Sequence, residues 1–189
     1  MFDIILNKSL QEKAVKLGFQ KAFFLDKSLI IKTGKLDELM RKVSSMHSKN
    51  IPIIVLGSED DINRKATEDK RISMLLNPEE TREKDFIHQR NSGLNHVLCR
   101  FASENNIKIG INVSSLFKLN PKERALKISR IMQNIVLCRK YRTKMLIASF
   151  AESAEELLTP YELKSIGIVF GMTPKQANES LETAKEILK

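Results

Sequence analysis

The chain has 189 residues, of which 42% are apolar and 29% are charged, and this balance predicts one folded domain spanning residues 1–189. Lys and Arg outnumber Asp and Glu by 32 to 23, and the formal charge of +9 favours partners that carry phosphates or other anions. No apolar run approaches the ~18 residues of a membrane span, and the N-terminus lacks the pattern of a signal peptide, so we expect a cytoplasmic protein.

Short apolar runs alternate with helical patterns along the chain. They are nearly continuous in apolar residues, as is typical of strands that are covered on both faces of a parallel sheet. The predicted strands cover residues 2–6, 21–25, 51–56, 72–76, 108–113, 145–150 and 166–170, and residues 84–89 are a further candidate. The pattern predicts an α/β fold of repeated βα units, either a compact barrel or an open doubly wound sheet.

Helix start signals lie between these runs. Ser9 and Glu12 have the spacing of a capping box, and so do Thr159 with Glu162 and Thr173 with Gln176. Proline also follows a capping residue at Asn77-Pro78, Asn120-Pro121, Thr159-Pro160 and Thr173-Pro174, where it suits the first position of a helix. Apolar residues at helical spacing predict helices around residues 36–43, 94–101, 128–135 and 177–188.

The cysteines and histidines do not form a metal-binding pattern. Cys99 and Cys138 are far apart in sequence and have apolar helical neighbours, which predicts buried reduced thiols. His47, His88 and His96 are scattered, and we expect surface or core roles for them. The phosphate-binding loops and the nucleophile elbow of common enzyme families are also missing from the sequence.

Basic residues concentrate between Lys118 and Lys144. This stretch holds nine Lys and Arg residues against the single acid Glu123. Cations near a helix C-terminus interact favourably with the helix dipole, but about 0.3–1 kcal/mol per charge does not explain so large an excess. A contact surface for RNA phosphates explains it better than a solvated face. No aromatic stacking platform accompanies the cations, so we expect binding through backbone charge and shape.

A polar segment, residues 90–95, precedes a predicted helix in the position of a βα loop. Ser92 could cap this helix, Gly93 allows close approach of another backbone, and Arg90 could hold an anion together with the helix N-terminus. An ordinary capped loop explains the same residues. For His96, a hydrogen bond to a nearby carbonyl is the alternative to an RNA contact.

Three segments together resemble a known family. They are Arg90-Asn91-Ser92-Gly93-Leu94-Asn95-His96-Val97-Leu98, Asn105-Asn106-Ile107-Lys108-Ile109-Gly110-Ile111 and Asn134-Ile135-Val136-Leu137-Cys138-Arg139-Lys140-Tyr141. They are similar to ribonuclease P protein component 3, the archaeal counterpart of a eukaryotic ribonuclease P and MRP subunit. The resemblance covers residues 70–189 well. It departs after residue 148, where Ser149-Phe150-Ala151 stands in place of the Ser-Gly-Ala turn typical of the family.

The resemblance implies a compact TIM-barrel-like fold related to a metal-dependent phosphoesterase superfamily. It also implies a non-catalytic subunit of ribonuclease P, the enzyme that removes 5′ leaders from precursor tRNA, with catalysis by the RNA subunit and its Mg²⁺. The chain itself would bind no cofactor. Its expected partners are the ribonuclease P RNA, protein component 2 and other subunits, with precursor tRNA contacted indirectly and no membrane.

We therefore predict RNA or partner contacts for ten residues. They are Arg90, Asn91, Ser92, Asn95, His96, Lys127, Arg130, Arg139, Lys140 and Arg142. The alternative function is a metal-dependent phosphoesterase on the same barrel, for which Asp3, Asp26, Asp85 and His88 are the candidate ligands. A general RNA chaperone is a third hypothesis.

Overall fold

The computed structural model of the chain describes residues 1–81, 84, 85, 87 and 89–188. Its strands are β1 (Phe2–Ile5), β2 (Lys21–Phe24), β3 (Ile30–Ile31), β4 (Ile54–Leu56), β5 (Met74–Leu76), β6 (Lys108–Asn112) and β7 (Met145–Ala148). The helices are α1 (Gln11–Lys16), α2 (Leu36–His47), α3 (Asp60–Glu68), α4 (His96–Glu104), α5 (Ser114–Phe117), α6 (Pro121–Tyr141), α7 (Pro160–Val169), α8 (Pro174–Glu182) and α9 (Ala184–Ile187). Short 3₁₀ turns lie at Lys8–Leu10, Lys27–Leu29 and Ala154–Glu156.

All strand pairs among the described residues are parallel. β3-β4-β5-β6-β7 form a five-stranded sheet in chain order, and β1 pairs with β2. The two sheets meet just beyond β7, where the Phe150 N–H donates to the Ile4 carbonyl at 2.8 Å and Ile5 forms a bridge with Ala151. The predicted α/β fold of parallel βα units is confirmed.

The core lies on both faces of the strands, as their nearly continuous apolar sequences predict, since successive side chains point to opposite faces. One cluster joins Ile5, Val55 and Ile109 to the helices that cover the sheet. The other cluster, with Ile4, Met74 and Phe150, is closed by α9. No helix in the described part of the chain has both the length and the apolar character to cross a membrane.

A buried carboxylate fixes the junction of β1 with β7. Asp3 accepts hydrogen bonds from the Ser149 hydroxyl at 2.6 Å and from the Ser149 N–H at 2.8 Å. Burial raises the pKa of Asp3 to about 6, although the hydrogen bonds from Ser149 and Ile4 act in the opposite direction. Phe150 follows with φ +51°, a conformation that favours glycine. Where this chain departs from the Ser-Gly-Ala turn, it thus has a left-handed backbone and places a fully buried ring inside the fold.

The predicted caps are correct at several helices. Asn120 caps α6, and Thr159 forms a complete capping box with Glu162 on α7. Thr173 caps α8, but the predicted box is incomplete, because among the described residues Gln176 Oε1 accepts no hydrogen bond in return. The box predicted at Ser9 was wrong, because Asn7 caps the 3₁₀ turn that precedes α1.

Three further expectations are corrected or limited by the structure, and one strand was missed. Residues 166–170, predicted as a strand, belong mainly to α7, while the two-residue strand β3 was missed. No helix follows Asn77-Pro78, since Asn77 has φ +48° and ends β5 in a turn. The candidate strand at 84–89 lies partly outside the described residues, and those of its residues that are described are not in a strand.

Candidate functional site

The 90–95 loop is anchored on α6. Gln133 accepts from the Arg90 N–H at 3.1 Å and donates to the Ser92 hydroxyl at 2.9 Å, and Asn134 donates to the Ser92 carbonyl at 2.9 Å. Asn91 and Ser92 are therefore buried, with 4% and 1% exposure. Both were predicted to contact RNA or a partner. That stays a prediction, and the structure shows that the two residues fix the loop.

Asn63 of α3 holds the other side of this loop. Its side-chain amide donates to the Pro78 carbonyl at 3.0 Å and to the Gly93 carbonyl at 3.2 Å, and both bonds are buried. Gly93 has φ +71°, and a Cβ there would overlap the Pro78 carbonyl oxygen. The close backbone approach predicted for Gly93 is confirmed, and the neighbouring backbone is the chain's own.

Within residues 90–96, the exposed side chains are those of Arg90, Asn95 and His96. Asn95, and not Ser92, caps α4, because its side chain accepts from the N–H groups of Val97 and Leu98 at 2.9 and 3.0 Å. His96 is the first residue of the helix. The helix begins three residues later than predicted, and two of its N-terminal N–H groups already have an acceptor.

Asp85 joins the loop to α6 through two arginines. Its carboxylate accepts from Arg90 Nη1 at 2.8 Å, from the Asn91 N–H at 2.9 Å and from Arg130 Nε at 2.9 Å. Partial burial acts to raise the pKa of Asp85, but these hydrogen bonds outweigh it and hold the pKa below its ordinary value. The carboxylate therefore stays ionised and ties Arg90, the loop and the helix together.

Two cations of the basic helix point into the protein. Arg130 is 5% exposed and also donates to the Thr81 carbonyl at 3.2 Å. Lys127 is 8% exposed, donates to Ser115 Oγ at 3.0 Å and pairs with Glu80. Both were predicted to contact RNA or a partner. That contact stays a prediction, while the structure gives each side chain partners within the chain.

Glu79 completes this buried cluster at the carboxyl ends of β5 and β6. Burial raises its pKa to about 7, although Lys127 acts in the opposite direction. Its Oε1 lies 4.0 Å from Lys127 Nζ and accepts no hydrogen bond from the described residues. Sequence reasoning missed Glu79 and Asn63, and it singled out Asp85 only as a candidate metal ligand. A buried polar residue has no periodic signal that separates it from a solvated one.

The remaining predicted cations, Arg139, Lys140 and Arg142, lie exposed at the C-terminal end of α6. We call them the α6 C-terminal cations. Arg139 Nη1 donates to the Gly171 carbonyl at 2.9 Å, and Lys140 Nζ lies 5.6 Å from the centre of the Tyr141 ring. Arg142 ends the helix in the left-handed conformation with φ +57°. The positive charges of these three residues therefore lie at the surface.

A cavity of about 720 Å³ opens beside these cations, between α6 and α8. Arg139, Arg142 and Lys175 lie in its lining, together with Glu179 and two residue pairs from the far side. In those pairs, Lys144 Nζ lies 2.9 Å from Glu186 and Lys185 Nζ lies 3.2 Å from Glu182. Lys175 Nζ also lies 3.9 Å from Glu179, so the three ion pairs leave Arg139 and Arg142 as the excess positive charge of the lining. Lys175 was missed because its own segment of sequence is acidic overall.

The candidate ligands of the phosphoesterase alternative have other roles in the structure. Asp3 holds Ser149, Asp26 caps the 3₁₀ turn at Lys27–Leu29, and Asp85 binds arginines. His88 lies outside the described residues. Within the part of the chain that is described, no three His, Cys, Asp or Glu residues are grouped so that they could hold a metal ion.

The two cysteines are free and buried, as predicted. They meet where α4 packs on α6, and the interaction with Cys99, together with burial, holds the pKa of the Cys138 thiol well above its ordinary range. His47 is exposed at the end of α2.

Comparison with known families decides the relationship of the chain. A family model described as RNase P subunit p30 matches residues 30–189. The chain belongs to the RNase P subunit p30 family. This confirms the resemblance to ribonuclease P protein component 3 drawn from the three sequence segments.

Individual relatives agree with the p30 assignment. Ribonuclease P protein component 3 of Methanococcoides burtonii is 30% identical over 183 residues, which are 96% of this chain and 73% of that protein. Its counterpart in Methanosarcina acetivorans is 32% identical over 71% of this chain and 53% of that protein. The Thermococcus kodakarensis protein is 32% identical over 82% of this chain and 66% of its own length. The chain thus spans from about half to about three quarters of these relatives.

Solved structures extend the comparison to the whole p30 fold. A chain in the cryo-EM structure of archaeal ribonuclease P with mature tRNA is 26% identical and superposes with a TM-score of 0.82, covering 100% of this chain and 90% of that one. An uncharacterised protein solved by crystallography is 10% identical with a TM-score of 0.56, over 80% of this chain and 37% of that chain. The second likeness concerns the fold alone.

Proposed function

We propose that this p30-family chain is a non-catalytic protein subunit of ribonuclease P, which supports the catalytic RNA in removing the 5′ leader from precursor tRNA. The likeness over the full chain to a protein in archaeal ribonuclease P carries the proposal. Catalysis is assigned to the RNA subunit with its Mg²⁺, and the chain is proposed to bind no cofactor. The proposed partners are the RNA, protein component 2 and the other protein subunits, with precursor tRNA contacted indirectly and no membrane.

The proposed RNA-binding surface centres on the α6 C-terminal cations. They are exposed, and Arg139 and Arg142 line a cavity large enough to take part of a nucleic-acid backbone. Lys175 adds a cation from α8 to the same lining. Guanidinium groups suit phosphate because their fork of N–H donors matches its oxygens. Lys127 and Arg130 support this surface indirectly by holding α6 to the rest of the fold.

Arg90, Asn95 and His96 form a second proposed contact surface, for RNA or for a partner subunit. Their side chains lie at the surface, whereas the rest of the loop is fixed by Asn63, Gln133 and Asn134. A rigid loop can present Arg90 at small entropic cost, since its backbone is already ordered in the free protein. Asp85 keeps the guanidinium oriented.

We further infer a compact, closed barrel, related to the phosphoesterase superfamily named above. The order β2-β1-β7-β6-β5-β4-β3 places β2 and β3 at the two open edges, and only five residues separate them in sequence. A single domain over residues 1–189 and a cytoplasmic location, where precursor tRNA would be processed, complete the proposal.

The test is reconstitution of ribonuclease P with and without the chain. At limiting magnesium, we expect the chain to raise the rate of precursor-tRNA cleavage by the RNA with component 2. The variant R139A/K140A/R142A should raise it less. K32A/K49A/K70A is the matched control, because it removes three exposed cations that do not line the cavity. Equal rates with and without the chain would contradict the proposed function.

A further inference from the structure

The exposed faces of α6 and α7 carry apolar side chains where solvated helices carry polar ones. On α6, Met132 and Val136 are 42% and 53% exposed. On α7, Tyr161, Ile168 and Val169 are 78%, 40% and 74% exposed. Near their C-terminal ends the two helices are linked by a hydrogen bond, which Arg139 of α6 donates to the carbonyl of Gly171, two residues after α7. We call these five residues the α6–α7 patch.

α7 is apolar on both faces. Its inner face buries Leu163 and Gly167, while Tyr161 and Ile168, seven residues apart, lie on its outer face. A helix with apolar residues on two opposite faces is normally covered on both of them. Isolated apolar residues at a surface need no explanation, but a group of them on adjacent helices marks an interaction surface.

The chemistry of the patch favours protein over RNA. Methionine, valine and isoleucine side chains offer no donors to phosphate oxygens, which receive most of the hydrogen bonds that proteins make to nucleic acids. The core of a protein interface is instead poor in charge and rich in apolar and aromatic side chains, Tyr and Met among them.

The charges around the patch select the partner. In α7 and in α6 from Met132 onward, three cations are not buried, against one such acid. The cations are Arg139, Lys140 and Lys164, and the acid is Glu162. In a twofold pair of identical chains each surface meets its own copy, so these basic groups would face one another. The formal charge of +9 adds to that repulsion. A different protein with acidic residues around an apolar face is complementary.

We infer that the α6–α7 patch is the docking surface for another protein, which contributes an apolar helix or strand face edged by Asp and Glu. The inference rests on the proposed function for its choice of probe, since the partner is sought among the protein subunits of ribonuclease P. Its five apolar residues differ from the proposed RNA contacts in position and chemistry, while Arg139 and Lys140 lie between the two surfaces.

The experiment mixes the full chain with each purified archaeal ribonuclease P protein subunit, component 2 first, without RNA, and measures the dissociation constant. We expect Val169→Glu and Val136→Glu each to weaken one of these complexes by at least about tenfold. Val169→Lys should weaken it less than Val169→Glu, because the partner is acidic. Tyr161→Ala is a milder variant if a glutamate perturbs folding, which circular dichroism would show.

Val15→Glu is the matched control, since Val15 of α1 is 49% exposed and lies outside the patch. It should bind as the wild type does. Unchanged binding by all patch variants would overturn the inference, and so would wild-type self-association that Val169→Glu abolishes. If the patch variants lose affinity for RNA and keep their affinity for the protein subunits, the patch binds RNA and the inference is wrong. If no subunit binds the wild-type chain, the docking inference is wrong. The cleavage assay would still test the proposed function separately.

Discussion

Gly93 is the residue on which the conformation of the 90–95 loop depends. Its φ of +71° is costly for any residue with a Cβ, and that Cβ would overlap the Pro78 carbonyl and lie 2.6 Å from Asn63 Nδ2. Both neighbours are held in place, because Asn63 bonds the two backbones together. We predict that Gly93→Ala lowers the free energy of unfolding by about 2 kcal/mol or more. Urea denaturation measures the change.

Gly34→Ala is the control for this substitution. No atom lies within 4 Å of the position that a Cβ would take at Gly34, and its φ is not in the left-handed region. The added methyl group there should leave stability unchanged or raise it by up to about 1 kcal/mol, because it restricts the unfolded chain. Equal effects of the two substitutions would show that the loop is not held as described.

Glu79 makes the stability of the protein depend on pH. Its pKa rises from 4.5 to about 7 on folding, so the folded state holds the proton more tightly than the unfolded chain does. This contribution to stability is complete below pH 4.5 and is lost as the pH rises through about 7. We predict that, from about pH 5 to about pH 8, the wild type loses roughly 2–3 kcal/mol relative to Glu79→Gln.

Denaturant unfolding of both proteins across this range provides the measurement. Asp3 has a raised pKa and contributes with the same sign, but it is present in both proteins and cancels in the comparison. Substitution of the exposed Glu104 by Gln should leave the wild-type pH dependence intact. Parallel curves for the wild type and Glu79→Gln would mean that Glu79 stays charged in the folded protein.

At the scale of elements, the sequence predicted the helix starts and strands that local patterns of residues encode. Thr159 with Glu162 and Asn120 with Pro121 mark helix starts because the capping side chain is next to the N–H groups that it serves. Six of the seven predicted strands form because continuous apolar runs match strands covered on both faces. The capping side chain of α4 was misplaced, since Ser92 and Asn95 are both suitable caps and only packing decides between them.

The misprediction over residues 166–170 has a physical cause. Ile166, Gly167 and Phe170 pack inward from α7 and the turn that follows it, while Ile168 and Val169 are exposed, so the run shows no helical alternation of apolar and polar residues. Periodicity detects a helix only when its outer face is polar. The same property led us to infer that this helix docks a partner. Places where local rules fail are often functional surfaces.

The basic helix shows the limit of prediction at the same scale. Its excess of cations was visible in the sequence, but charge alone does not reveal which side chains turn inward. Lys127 and Arg130 sit three residues apart on the buried face of α6, and their partners Glu80 and Asp85 come from a distant segment. Only tertiary structure brings those acids to the helix. The surface charge of α6 is thus smaller than its sequence suggests.

For the molecule as a whole, the exposed α6 C-terminal cations set how strongly we expect RNA binding to depend on salt. Each phosphate neutralised by Lys or Arg releases condensed counterions, so the logarithm of the affinity falls linearly with the logarithm of the salt concentration. We predict that R139A/K140A/R142A reduces this slope by up to about 2–3, from roughly 0.7–0.9 per phosphate contact. Thermal unfolding should stay near that of the wild type, because all three side chains are exposed.

The control K32A/K49A/K70A separates local contact from overall charge. It lowers the net charge by the same amount, from residues that lie elsewhere on the surface. If RNA responds only to the formal charge of +9, the two triple variants should show the same slope. If RNA lies along the cavity between α6 and α8, the control should keep the wild-type slope. An unchanged slope for R139A/K140A/R142A would mean that the α6 C-terminal cations face solvent or a protein partner.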